Sequence, residues 1–258
     1  MLLQDKIILI TGAGQGIGRG IALAAAEEGA KLVVTDLNIE TVTETSRLVE
    51  RLGRPALPLM LDVTNKKNVK SAVETAVYEF GHLDGLVNNA GIAISGDSLN
   101  VTEQDIDSQF RVNVYGLFYC CQVAAQQMIT QGSRGSIVNI ASNAGKVGFP
   151  ENAIYGATKA AVINLTRILS AEWAKYNINV NAVCPGAVET PMLLNVAKSI
   201  ADQTSGDVNA VFNMLTPKQL GRHIQPLEVG HIVSFLLSDS SLIIRGQSIN
   251  IDAGETPY

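Results

Sequence analysis

One feature constrains this chain more than any other: short β-branched and apolar runs alternate with longer stretches of helical spacing. Segments 6–10, 31–36, 56–62, 83–87, 135–141, 178–184 and 247–252 predict strands. Segments 16–29, 39–52, 69–80, about 102–131, 154–175 and 226–237 predict helices, the last opening on Pro226, which suits a first turn. Apolar strands without polar alternation are buried on both faces, as in a parallel sheet covered on both sides. Repeated βα units with right-handed crossovers give a doubly wound α/β fold. No linker, repeat or low-complexity stretch breaks the series, so a single domain over 1–258 is expected. The least regular stretch, 187–222, follows the sixth strand on the ligand-binding side of such sheets and is expected to be a substrate lid.

Composition narrows the function. Charged residues are 17% and hydrophobic residues 47%, which argues against a disordered chain or a solvated linker. Lys plus Arg is 19 against 24 for Asp plus Glu, and a net charge of −5 argues against a nucleic-acid partner. Cys120, Cys121 and Cys184 have no metal spacing and offer no disulfide framework, so reduced buried thiols are expected. His82, His223 and His231 have no ligand spacing either, so no metal is expected. The opening MLLQDKIILITGAG has no basic n-region or long apolar core, and no run of about 18 apolar residues follows. The expected location is cytoplasmic, with no membrane contact.

The first strand runs into Thr11-Gly12-Ala13-Gly14-Gln15-Gly16-Ile17-Gly18. Strand, glycine-rich turn and helix in that order can present helix N–H groups to a phosphate. Asp36 closes the second strand, where an acid can accept the ribose hydroxyls of a dinucleotide and repel a 2′-phosphate. Neither Gln15 nor Leu37 supplies a cation, and Arg19 falls within the helix, so NAD is expected over NADP. Asp62-Val63 and Asn88-Asn89-Ala90-Gly91 end the next two strands and fit the same pocket, although each alone also reads as a turn. Pro185-Gly186-Ala187-Val188-Glu189-Thr190 ends the sixth; its backbone and Thr190 could hold a nicotinamide amide, or it is simply a turn.

Tyr155 and Lys159 stand four apart at a helix start and share a face. An ammonium beside a phenol stabilises the phenolate, so the pair can move a proton. Ser142 ends the fifth strand just upstream and could bind a substrate oxygen. Asn113 lies inside the long helix, where a polar side chain needs a partner; a water-linked relay to Lys159 is one option. Lys146, Glu151 and Asn152 put polar groups near the expected substrate, and Val147, Phe149 and Met192 add apolar surface. Trp173 reads as a packing anchor. Arg222 and His223 lie near the end of the lid; they could touch substrate, but a surface role is expected.

Together these motifs resemble the short-chain dehydrogenase/reductase family across nearly the whole chain. The resemblance implies a Rossmann-like domain with a seven-stranded parallel sheet and helices on both faces. It implies Tyr155 as acid/base, Lys159 lowering its pKa and binding ribose, Ser142 orienting substrate, and Asn113 holding a relay water. Cofactor positions are then Gly12, Gln15, Gly16, Ile17, Gly18, Asp36, Leu37, Asp62, Val63, Asn89, Ala90, Gly91, Tyr155, Lys159, Pro185, Gly186, Val188 and Thr190. A homotetramer, paired through helices 103–131 and 154–175, is also implied.

The long lid and the IDAG ending look like the polyol and vicinal-diol branch, so an NAD-dependent dehydrogenase of a small-molecule secondary alcohol is expected. The alternatives are a 3-oxoacyl-thioester or other carbonyl reductase, and a dinucleotide-binding sensor without turnover.

Overall fold

The computed structural model describes residues 1–257. Tyr258, the last residue of the expected domain, lies outside the described residues. Seven parallel strands form one sheet in the order β3-β2-β1-β4-β5-β6-β7. They are β1 (Ile7–Thr11), β2 (Lys31–Asp36), β3 (Ala56–Met60), β4 (Gly85–Asn88), β5 (Gly135–Ile140), β6 (Ile178–Pro185) and β7 (Ser248–Ile251). The chain winds outward from β1 to β3, then returns to lay β4 on the other side of β1. That reversal opens a crevice at the carboxyl ends of β1 and β4, where doubly wound sheets bind ligands.

Side chains alternate across the sheet because the strand period is two. Ile7 and Leu9 enter one core with Leu86, Ile137 and Val180; Ile8 and Ile10 enter the other with Val34, Val87 and Val138. The first core is covered by α3 (Lys66–Phe80), α5 (Leu117–Thr130) and α6 (Ala153–Trp173). The second is covered by α1 (Gly16–Glu27), α2 (Ile39–Arg51) and, later in the chain, α9 (Pro226–Leu237). Trp173 packs at the edge of the first core, and all three cysteines are buried free thiols.

Two regions differ from the sequence reading. The helix expected at about 102–131 is α4 (Glu103–Phe110) joined to α5 through a π-helical turn, Arg111–Gly116, which holds Asn113. The stretch 187–222 is not irregular. It carries α7 (Pro191–Thr204) and α8 (Val208–Met214), which pack through Ala197, Ala201 and Val211 into a small core of their own. Among the described residues no helix is long and apolar enough to cross a membrane.

Candidate active site

The turn after β1 is built for close approach. Gly12 has φ +63°, and a Cβ on Gly18 would strike the Gly12 carbonyl oxygen and lie 2.5 Å from Asn89 Nδ2. Gln15 at the N-cap of α1 is exposed and makes no capping bond, whereas Asn38 on α2 and Asn65 on α3 each cap two first-turn N–H groups. The first-turn N–H groups of α1 are therefore without a side-chain cap. Asn89 is tied down: its Nδ2 donates to the carbonyls of Thr11 (3.1 Å) and Gly12 (2.8 Å), and the N–H groups of Asn89 and Ala90 donate to Thr11 Oγ1.

Asp36 accepts the Gly14 N–H at 2.9 Å and the Asn38 N–H at 3.2 Å, and Leu37 beside it is 68% exposed. Asp62 accepts the N–H and hydroxyl of Thr64 with one oxygen. The Val63 side chain is buried against Gly116 of the π turn. Pro185 and Val188 are likewise buried, and Val188 bridges to Ile224. Thr190 caps α7 through the Leu193 N–H, and its methyl lies 3.3 Å from the position of a Cβ on Gly16. The turn after β6 thus lies against the glycine-rich turn.

Tyr155 and Lys159 share one face of α6, with Lys159 Nζ 5.6 Å from the Tyr155 ring centre and donating to the Ile140 carbonyl at 2.8 Å. Burial lowers the Lys159 ammonium to about 8. Burial also raises the Tyr155 phenol, against which a hydrogen bond with Ser142 pulls it back down. Ser142 is itself buried and accepts the Ala144 N–H. The Asn113 side chain accepts the Ile92 N–H, donates back to the Ile92 carbonyl and donates to Thr158 Oγ1. Its amide is therefore spent on holding the segment after β4 and the Thr158 hydroxyl.

A family model described as enoyl-(acyl carrier protein) reductase matches residues 12–256. The 3-oxoacyl-acyl-carrier-protein reductase of Thermotoga maritima is 39% identical over 98% of this chain and 99% of its own. The (S)-acetoin-forming diacetyl reductase of Staphylococcus epidermidis is 37% identical over 97% of this chain and 98% of its own. The chain belongs to the short-chain dehydrogenase/reductase family. The crystal structure of levodione reductase superposes with a TM-score of 0.94 at 31% identity, covering 99% of this chain and 100% of that one.

As a short-chain dehydrogenase/reductase the chain is an oxidoreductase of alcohol and ketone groups on small molecules, and the family uses nicotinamide dinucleotides. The residues present fit such a group. A Cβ on Gly91 would come 3.2 Å from Asn113 Oδ1 and 3.5 Å from Lys159 Nζ, so its absence leaves a cradle beside the ammonium.

Some side chains of this short-chain dehydrogenase/reductase fall where the sequence did not place them. Arg19, expected to be lost within α1, turns back so that its guanidinium donates to the Gly14 and Thr41 carbonyls. Its position one turn into a helix that begins at the glycine loop was the available signal. His223 is 8% exposed rather than at the surface, its ring centre 4.3 Å from that of Phe212 of α8 in a tilted contact. Arg222 is exposed, paired with Glu228. Lys146 donates to the Ser248 carbonyl of β7. Ser95 donates to Asn152 Oδ1 at 2.9 Å, and the Gly96 N–H donates to the Glu151 carbonyl, so the segments after β4 and before α6 meet at the mouth. Among the described residues no group of His, Cys, Asp or Glu is arranged to hold a metal.

Proposed function

We propose that this short-chain dehydrogenase/reductase is an NAD-dependent dehydrogenase of secondary alcohols, with vicinal diols and polyols as its substrate class. The observation that carries the reading is the alignment of Ser142, Tyr155 and Lys159 beside the Gly91 cradle, with Asp36 at the far end of the same crevice. The bound cofactor supplies the hydride acceptor. Tyr155 takes the hydroxyl proton of the alcohol, Lys159 stabilises the phenolate and holds the ribose, and Ser142 orients the substrate oxygen. Asn113 acts through its backbone, lending a carbonyl in the π turn to a relay water.

Asp36 supports NAD, because a carboxylate there accepts ribose hydroxyls and repels a 2′-phosphate. Ser95 and Asn152 at the mouth, together with a relative named for diacetyl and acetoin, support a substrate with neighbouring oxygens. The 39% identical Thermotoga reductase favours a second reading, a 3-oxoacyl-thioester reductase.

Two further parts of the proposal concern assembly and location. The outer faces of α5 and α6 carry Ile129 and Ile168, which are 38% and 45% exposed, and we assign them to pairing within a homotetramer. The location proposed is the cytoplasm.

The test is NADH formation from a panel of diols, polyols, simple secondary alcohols and 3-hydroxyacyl thioesters, with NADP in parallel. Turnover of diols or polyols with NAD, lost in Tyr155→Phe, supports the first reading. Turnover of thioesters alone supports the second.

A further inference from the structure

Gly14 is gripped from both ends. Its N–H donates to Asp36 Oδ2 at 2.9 Å, and its carbonyl accepts from Arg19 Nη2. The same guanidinium donates to the Thr41 carbonyl at 3.4 Å, and its Nε donates to Thr45 Oγ1 at 3.0 Å. Thr45 Oγ1 in turn donates to the Ala13 carbonyl at 2.9 Å. A Cβ on Gly14 would collide with Thr41 Oγ1 and lie 2.9 Å from the Asp36 carboxylate, so loop, carboxylate and α2 are packed without slack. Arg19 is half-buried, and no carboxylate lies within ion-pair distance of it among the described residues. A positive charge therefore sits one glycine away from the carboxylate proposed to select NAD.

We infer that Arg19 is a specificity-determining residue of the cofactor site: a cation held in reserve beside the adenine ribose, masked by Asp36. This rests on the NAD reading above. Asp36 then does two things. It accepts the ribose hydroxyls, and its charge repels the 2′-phosphate that Arg19 could otherwise meet. Removing the carboxylate frees the Gly14 N–H and leaves the guanidinium as the nearest charge to the ribose 2′ position. Arginine donates through five N–H groups in a planar fork, so it can keep one loop carbonyl while turning another N–H toward a phosphate. The chain would then take NADP without any new basic residue.

The experiment is direct binding of NADH and NADPH by fluorescence, which needs no substrate, in five proteins. These are wild type, Asp36→Ala, and Asp36→Ala combined with Arg19→Lys or Arg19→Gln, together with Arg19→Gln alone. Circular dichroism confirms that each is folded. The expected result is a wild type that prefers NADH and an Asp36→Ala variant whose NADPH affinity rises at least tenfold. Arg19→Lys keeps most of that gain because it keeps the charge, and Arg19→Gln abolishes it. The gain also shrinks with added salt, as a phosphate contact must. An Asp36→Ala gain that survives Arg19→Gln, or no gain at all, overturns the assignment of Arg19. A wild type that already binds NADPH more tightly overturns the NAD reading instead, so the two failures are distinguishable. Arg19→Gln alone loses NADH affinity severalfold through the loosened loop, and an unchanged affinity counts against the grip on Gly14.

Discussion

Asn89 locks the end of β4 to the end of β1 by donating two hydrogen bonds to Thr11. Its backbone N–H donates to the Thr11 hydroxyl at 3.0 Å, and its side-chain Nδ2 donates to the Thr11 carbonyl at 3.1 Å. The crevice at the sheet's switch point is thus braced by the protein itself. Asn89 is a brace for the glycine turn, and Gly18 is where that brace has no room for a methyl group.

Gly18→Ala is expected to destabilise the fold by about 1–3 kcal/mol, the usual cost of overpacking. Its Cβ would press on the Gly12 carbonyl and Asn89. Thermal unfolding of the variant and NADH titration check this: both stability and affinity fall together.

Tyr155→Phe should reduce turnover by roughly 10²–10⁴-fold, the range for loss of a general acid/base. The ring stays in place beside Lys159, so NADH affinity holds within about threefold. Steady-state rates alongside fluorescence titration separate the two.

Ser142→Ala moves the pH profile in a defined direction. Ser142 lowers a phenol that burial raises, so its loss lets the Tyr155 pKa climb. Alcohol oxidation needs the phenolate, and its rate rises with pH. The rising limb of kcat/KM shifts to higher pH in the variant, which a pH series in the oxidative direction reads out.

Lys159 carries a stability cost at neutral pH. Its ammonium sits near 8 in the folded protein against 10.5 when free, so between those values the unfolded chain binds the extra proton. Stability therefore rises as pH climbs through that window. Lys159→Met escapes the cost: its stability relative to wild type is greatest below pH 8. That advantage shrinks toward pH 10.5 by up to about 3 kcal/mol, at 1.36 kcal/mol per pKa unit. Urea unfolding across the window measures the difference, and a constant difference would refute it.

Ile168→Glu places a charge on the α6 face proposed to pair with a second copy. The oligomer should fall apart to smaller species without loss of helical signal. Light scattering after gel filtration gives the mass.

Much of the fold was legible in the sequence because parallel strands and their helices declare themselves by pattern. Strand 31–36 and helix 226–237 match the structure residue for residue, each bounded by a strong local signal: Asp36 and Pro226. Tyr155 and Lys159, proposed to carry the proton transfer, were legible because their spacing puts them on one helix face. Other features were not. Segment 187–222 looked irregular because α7 and α8 pack mainly on each other, in a small core of their own, and stand outside the strand–helix alternation that builds the rest of the chain. Asn113 was expected to need a partner, but which one was not legible, because the Ile92 N–H and carbonyl are backbone groups that no side-chain motif announces. Arg19 was discounted because a helix position tells nothing of how far a long side chain reaches back.

The π turn at Arg111–Gly116 has a consequence for any protein engineer who treats α4 and α5 as one rod. One surplus residue in a helix is a phase shift of about 100°, the angle each residue adds at 3.6 per turn. Residues before and after it therefore obey two different frames, and a face drawn straight through would mix inward and outward positions. Trimming a single residue there would make a more regular helix with its two halves turned against each other. The irregularity is what lets the α4 half and the α5 half each keep its own bearing on the core.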